Sequence, residues 1–203
     1  MKYIIMAGTN GAGWDEPRQL VKIGNERLID RTIRLLREAG VDDICISSND
    51  RAFTSCCVPI LHHENKDLWI NGFYPMTEPV CYIMGDVFFS PEAIKSIVDT
   101  PTDSIEFFAS SPPFSSKYIK EWAEPFAFKV ENPMEFICRL RETKGLWLEG
   151  RFVRRPISWE LWQVIKKTPL NIIDYTNYVA INDYTCDIDT PEDAKRIRSI
   201  LGI

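Results

Sequence analysis

The sequence is short of the residues that mark several large classes of protein. Histidine occurs only at His62 and His63. Neighbouring side chains on an extended backbone face opposite ways, so these two cannot share one metal, and a histidine-based zinc site is excluded. Six cysteines are present, but none forms a C-x-x-C pair, and Cys56 and Cys57 are adjacent. Reduced thiols and a cytoplasmic location are therefore expected, with Cys45 and Cys81 acting as small core residues in apolar runs. The apolar stretch in the opening MKYIIMAG is about five residues long and no other run approaches a membrane span. Basic residues are in deficit: 24 Lys and Arg against 29 Asp and Glu leave a net charge of −5. A protein that tracks nucleic-acid phosphates usually has the opposite bias, so neither nucleic acid nor membrane is an expected partner. The G-x-x-x-x-G-K-[ST] P-loop and the G-x-G-x-x-G dinucleotide fingerprint are both missing. Repeats, low-complexity tracts and linkers are missing too.

What remains is an ordinary globular balance, 45% hydrophobic and 26% charged over 203 residues, enough to fill one core. Apolar runs and helical periodicity alternate along it. KYIIMA (2–7) predicts a buried strand ending at Gly8, followed by a loop with Gly8, Gly11, Gly13 and Pro17. Ile29, Ile33 and Leu36 follow helical spacing between Leu28 and Ala39, and Gly40 supplies the stop. VDDICISS adds a second strand, and PVCYIMG (79–85) a third, ahead of Asp86. Strand, helix, strand in about fifty residues is a βαβ unit, which requires a parallel sheet. SIEFFAS (104–110), PFAFKV (125–130) and YVAIND (178–183) predict further strands. NPMEFICRLRETKG and PISWELWQVIKKT predict helices, and Thr190-Pro191-Glu192-Asp193 caps a last one. The fold expected is a single three-layer α/β/α domain over 1–203. Its sheet is mostly parallel and Rossmann-like, and a small inserted lobe at about 111–177 covers the acceptor side of the site.

Four features carry chemistry. The Gly-rich loop sits where ligands bind in an open parallel sheet, beyond the carboxyl end of a strand. Glycines there let backbone N–H groups approach phosphate oxygens, although a plain flexible turn has the same composition. Arg18 and Lys22, just past the loop, are either phosphate-neutralising cations or solvated surface charges. Asp86 closes a very apolar strand, as a metal-bound carboxylate or as a turn residue before a helix. Asp187 and Asp189 are two apart, so an extended backbone points both to one side, as paired metal ligands or as part of a helix cap.

In this order the features resemble the nucleotide-diphospho-sugar transferase superfamily, and within it the nucleotidyltransferases. Met6-Ala7-Gly8 is similar to the end of that family's L-A-A-G opening and Pro17-Arg18 to its P-K. Gly85-Asp86 falls on its G-D, and Asp187 to Asp193 on the closing [ED]-I-D-T-P-E-D of its cytidylyltransferase-like members. Residues 1–100 and 178–203 carry the resemblance. Two departures stand out: arginine replaces the family's lysine at Arg18, and Ala12 or Trp14 falls near the place of its motif arginine.

The resemblance implies a Mg²⁺-dependent transfer of a nucleoside monophosphate from a triphosphate, with CTP preferred, to a small phosphorylated acceptor, releasing pyrophosphate. It implies Asp86, Asp187 and Asp189 as metal ligands, Arg18 and Asp86 as catalytic residues, and Ala7, Gly8, Thr9, Gly11, Arg18 and Lys22 at the nucleotide. For the acceptor, Trp159 is either an aromatic wall for an ammonium group or core, and Arg155 would grip a phosphate or carboxylate. A sugar-1-phosphate acceptor and a non-catalytic nucleotide-binding module are the rival readings. A glycosyltransferase is disfavoured, because Val87-Phe88 after Gly85-Asp86 leaves no D-x-D motif. A homo-oligomer is left open.

Overall fold

Alternate residues of the central strands enter different cores, and this alternation sets the layers. Tyr3 and Ile5, Cys81 and Ile83, Ile44 and Ile46 belong to one cluster, together with Ile29, Ile33, Ile94 and Ile97. Ile4, Val80, Tyr82 and Cys45 belong to a second, with Phe136, Trp159 and Trp162. A period of two puts successive side chains on opposite faces, so helices cover both sides of one sheet.

The computed structural model describes residues 1–8, 14–63, 69–110 and 122–203. The first half of the chain holds β1 (Lys2–Met6), β2 (Lys22–Ile23), β3 (Glu26–Arg27), α1 (Leu28–Glu38), β4 (Ile44–Ser47) and β5 (Ile60–Leu61). Next come β6 (Val80–Met84), β7 (Val87–Phe88), α2 (Pro91–Asp99), β8 (Ile105–Ser110) and β9 (Glu124–Val130). The rest is α3 (Pro133–Leu148), α4 (Ser158–Lys166), β10 (Val179–Ala180), β11 (Cys186–Asp187) and α5 (Pro191–Leu201).

The central sheet has seven strands in the order β10-β8-β9-β6-β1-β4-β5. Every pairing is parallel except the two made by β9, which runs against β6 and β8. From β1 the chain moves outward to β4 and β5, then returns to the other side of β1 with β6. The crevice beyond the ends of β1 and β6 is therefore the topological switch point, where open α/β sheets bind ligands. The three-layer, mostly parallel, Rossmann-like architecture expected from the sequence is the one observed. Among the described residues, no helix is long and apolar enough to cross a membrane.

The described part of the 111–177 stretch, residues 122–177, contributes one strand and two helices to these layers. Its strand β9 lies between β6 and β8 in the middle of the sheet. Lys129 of β9 is buried and donates to the carbonyls of Ile97, Val98 and Thr100 at 3.2, 2.8 and 2.6 Å. Those are carbonyls at the end of α2, which have no partner within the helix, so the ammonium ties strand to helix. The helices α3 and α4 of the same stretch supply Phe136, Trp159 and Trp162 to the second core.

A third, smaller core lies under α5. Ile23, Leu28, Phe88, Cys186, Ile188, Ala194 and Ile197 pack there. It seats a two-stranded ribbon in which Cys186 pairs with Phe88 and Asp187 with Val87. The closing motif is thus pinned beside the end of β6.

Candidate active site

Gly85 decides how the end of β6 meets the end of β1. Its N–H donates to the Met6 carbonyl at 2.9 Å. A Cβ at this position would collide with that same carbonyl oxygen and crowd Ile5 Cγ2 at 3.2 Å. Only glycine allows so close an approach, and it sets Asp86 over the switch point beside Ala7 and Gly8. Ala7 is buried and donates its N–H to Ser47 O at 3.0 Å, which extends the β1–β4 ladder. At Gly8, the last described residue before the Gly-rich loop, an added Cβ would meet nothing within 4 Å among the described residues. Thr9 and Gly11 lie outside the described residues.

The ribbon of β7 and β11 brings the closing motif to Asp86. Ile188 donates its N–H to the Asp86 carbonyl at 2.9 Å. Ligand oxygens of Asp86, Asp187 and Asp189 all fall within 4.8 Å of one another. The alternative roles considered for these carboxylates are filled by other residues. Ser90 caps α2, accepting from Ala93 N. Thr190 and Asp193 cap α5 reciprocally: Asp193 N donates to Thr190 Oγ1 at 3.3 Å, and Thr190 N donates to Asp193 Oδ2 at 2.9 Å.

Arg18 enters the cluster from a 3₁₀ turn at Arg18–Leu20. Its Nη2 lies 2.8 Å from Asp86 Oδ2, and its Nη1 pairs with Asp189 Oδ1. Burial works against the guanidinium charge, but Asp86, Asp187 and Asp189 outweigh it and hold the pKa above its ordinary value. For Asp86, burial raises the carboxyl pKa more than Arg18 lowers it, and Asp189 adds to the rise. Burial, then repulsion from Asp86 and Asp189, pushes Asp187 well above the usual carboxylate range. Among the described residues, two buried polar atoms of this cluster have no partner, Arg18 Nε and Asp187 Oδ1.

This donor set fits a hard divalent cation. All its ligands are oxygens, three carboxylates outnumber the single guanidinium, and Asp187 Oδ1 is buried with a lone pair unspent. Buried polar atoms are rarely left unpaired unless a ligand or water completes them.

The other expected site residues are placed differently. Lys22 is exposed on the β2–β3 hairpin, where its carbonyl accepts from Arg198 Nη2 at 2.7 Å. Its ammonium takes no part in the ion pairs described for Arg18. Arg155 is exposed in the loop before α4. Trp159 has 0% exposure, and Phe107, Tyr175 and Tyr178 pack against its ring. Its indole N–H donates to Ala123 O at 3.2 Å. Of the two readings of Trp159, acceptor wall or core, the wall is corrected: the ring is core, with no face left to meet an acceptor.

Two neighbours of the cluster escaped the sequence reading. Trp14 donates its indole N–H to the Asp189 carbonyl at 3.0 Å, bracing the closing motif from the far side of the Gly-rich loop. Its position near the missing motif arginine was the available signal. Glu124, the first residue of β9, accepts from Asp187 N. Nothing local marks it, because a reversed strand in the middle of a parallel sheet is set by tertiary pairing.

The chain has the nucleotide-diphospho-sugar transferase fold. It is similar to CTP:phosphocholine cytidylyltransferase (LicC) from Streptococcus pneumoniae, with a TM-score of 0.59 and 15% identity over 98% of both chains. A Bacillus anthracis protein assigned as a glucose-1-phosphate thymidylyltransferase and solved with sucrose gives 0.62 and 14% identity, over 98% of this chain and 94% of that one. A nucleotidyl transferase from Methanothermobacter gives 0.62 and 16%, over 99% and 97%. No protein-family model matches the sequence, and no curated protein is similar to it by sequence.

Proposed function

We propose that this protein transfers a nucleoside monophosphate, CMP from CTP, to a small phosphorylated acceptor and releases pyrophosphate. The observation that carries the reading is the convergence of Asp86, Asp187 and Asp189 with Arg18 at the switch point, beside the paired ends of β1 and β6. The three carboxylates would hold Mg²⁺, which supplies charge neutralisation at phosphoryl oxygens when bound there. Ala7 and Gly8, with Thr9 and Gly11 beyond them, would approach base and phosphates through backbone N–H groups. Arg18, turned from Asp86 and Asp189 toward the triphosphate, would neutralise the departing pyrophosphate, and Lys22 would add a second cation at the loop's far side. An acceptor phosphate oxygen attacks the α-phosphorus in line while the bond to the β-phosphate breaks. That oxygen is already ionised, so no side-chain base is needed, and catalysis is positioning and charge neutralisation.

CTP is favoured by the closing motif at Asp187 to Asp193, which resembles that of cytidylyltransferase-like members. The burial of Trp159 speaks for a second acceptor class, because it removes the aromatic wall that would have selected an ammonium group. A sugar 1-phosphate, gripped through Arg155, is that second reading. The deciding experiment measures pyrophosphate release with Mg²⁺ for four nucleoside triphosphates against phosphorylated amines, alcohols, amino acids and sugars. Release that needs both substrates, is fastest with CTP and is lost in Asp86→Asn supports the proposal. Nucleotide binding with no release from any pair would make the chain a non-catalytic binding module.

A further inference from the structure

The strand β9 brings one more acid to the cluster, and a defect in its pairing aims that acid. Because β9 alone runs against its neighbours in the central sheet, its first residue lies at the edge where the parallel strands end. That residue is Glu124, 9% exposed and paired with Ser110, the last residue of β8. Between Phe108 and Ala109 the register slips: Phe108 pairs with Ala127, yet Ala109 pairs with Pro125. Phe126 is the extra residue of a bulge. By simple alternation it would join Phe128 and Val130 in the second core, but it lies with Ala127 in the first. A one-residue slip reverses the face of every side chain beyond it, and bulges recur where a strand must re-aim a functional group. Pro125 suits such a break, since it has no N–H to give to the ladder. Past the slip, Glu124 emerges beneath the closing motif, and its Oε2 accepts from the Asp187 backbone N–H at 3.3 Å.

We propose that Glu124 is a positioning residue for the cation site: it holds the Asp187 backbone and adds a fourth negative charge behind the three carboxylates. This rests on the divalent-cation reading given above. A purely structural acid would favour the metal-free fold. Glu124 works the other way, since its charge repels Asp187 when no cation is present. Its hydrogen bond to Asp187 N is made without a cation, while its charge becomes favourable to the cluster when a cation is bound, as for groups that orient metal ligands from behind.

The test is a Mn²⁺ titration of the full chain, followed by water-proton relaxation, together with metal-free melting temperatures, for wild type, Glu124→Gln, Glu124→Ala and Asp187→Asn. Glu124→Ala should weaken Mn²⁺ binding about tenfold or more. Glu124→Gln, which keeps an acceptor for Asp187 N, should weaken it less and melt no lower than wild type without metal. Unchanged Mn²⁺ affinity in both Glu124 variants overturns the proposal and leaves the cation reading standing. In Glu124→Gln, which keeps the hydrogen bond, a loss of affinity that tracks a fall in metal-free melting temperature overturns it too, because that is the mark of a structural residue. If wild type and Asp187→Asn are alike in failing to bind Mn²⁺, the cation reading falls and this proposal with it.

Discussion

Two arginines in this molecule each face several carboxylates, and they do opposite things. Arg34 on α1 donates Nε and Nη2 to the two oxygens of Glu26 at 2.8 Å each, and Nη1 to Glu38 at 2.9 and 3.1 Å. Both carboxylates are satisfied in a fork geometry and sit near solvent. The hydrogen bonds from Arg34 hold Glu26 below the usual carboxylate range. Arg18 also pairs with two carboxylates, but a third stands behind them, and both Arg18 Nε and Asp187 Oδ1 are buried without partners among the described residues. The Arg34 network is complete, whereas the Arg18 cluster sets three carboxylates against one guanidinium. Counting ion pairs would rate the two alike. What separates them is the convergence of three carboxylates on one guanidinium; an unspent N–H alone does not, since Arg139 Nε in the α3 ion pairs also has no partner among the described residues.

The contrast breaks first at Asp86. Asp86→Asn should cut pyrophosphate release by at least about a hundredfold, the usual scale for losing one preorganised electrostatic group. Its metal-free melting temperature should not fall, since a like charge leaves a crowded site. Full activity in this variant would remove Asp86 from the machinery.

Arg18→Ala should show the split most directly. Turnover should drop, again by about a hundredfold, while Mn²⁺ binding to the nucleotide-free protein should tighten. Arg18 now neutralises Asp86 and Asp189 and so competes with a metal for them. Weaker Mn²⁺ binding in Arg18→Ala, measured by the same titration, would mean that Arg18 supports the cation site instead of competing for it.

Much of this arrangement was legible in the sequence, and the gaps have physical causes. The strands that end at Met6 and Met84 are runs of apolar residues bounded by glycine, and both were expected within a residue or two. Local rules marked Asp86 at a strand end and Asp187 and Asp189 two apart, but that the three share a site was implied by the resemblance alone, because it depends on the pairing of β7 with β11. Glu124 was invisible because its place depends on the reversal of β9 and on a bulge, and neither is encoded within a few residues of it. Trp159 illustrates the converse. Its helical spacing with Trp162 fitted both core and ligand wall, and only the packing of Phe107, Tyr175 and Tyr178 around the ring decides for core.

Asp187→Asn sharpens the comparison on the stability side. Metal-free protein should gain about 1 kcal/mol from losing the most crowded carboxylate, a rise of about 2–4 °C for a chain of this size. Saturating Mg²⁺ should raise the melting temperature of wild type, because a ligand that binds only the folded state stabilises it. In Asp187→Asn that rise should be largely lost. A variant that melts lower than wild type without metal would show that Asp187 stabilises the fold, contrary to the frustration argued for it.

Arg34→Ala is the matched control and the smallest effect. The ion pairs it removes are partly exposed, so their loss should cost no more than about 1 kcal/mol. Mn²⁺ binding and pyrophosphate release should be unaffected. The pH dependence follows from Glu26, whose pKa in the fold is lowered by the Arg34 hydrogen bonds. A depressed carboxyl pKa contributes stability that is present above its unfolded value, near 4.3, and is lost as pH falls through the folded value. The gap between Arg34→Ala and wild type should therefore be open at neutral pH and close in acid, and it should narrow with salt as the exposed charges are screened. Denaturant unfolding at neutral and acid pH checks this directly. A gap that persists in acid would mean that Arg34 acts through the packing of its stem on α1, and the ion-pair half of the comparison would then need another example.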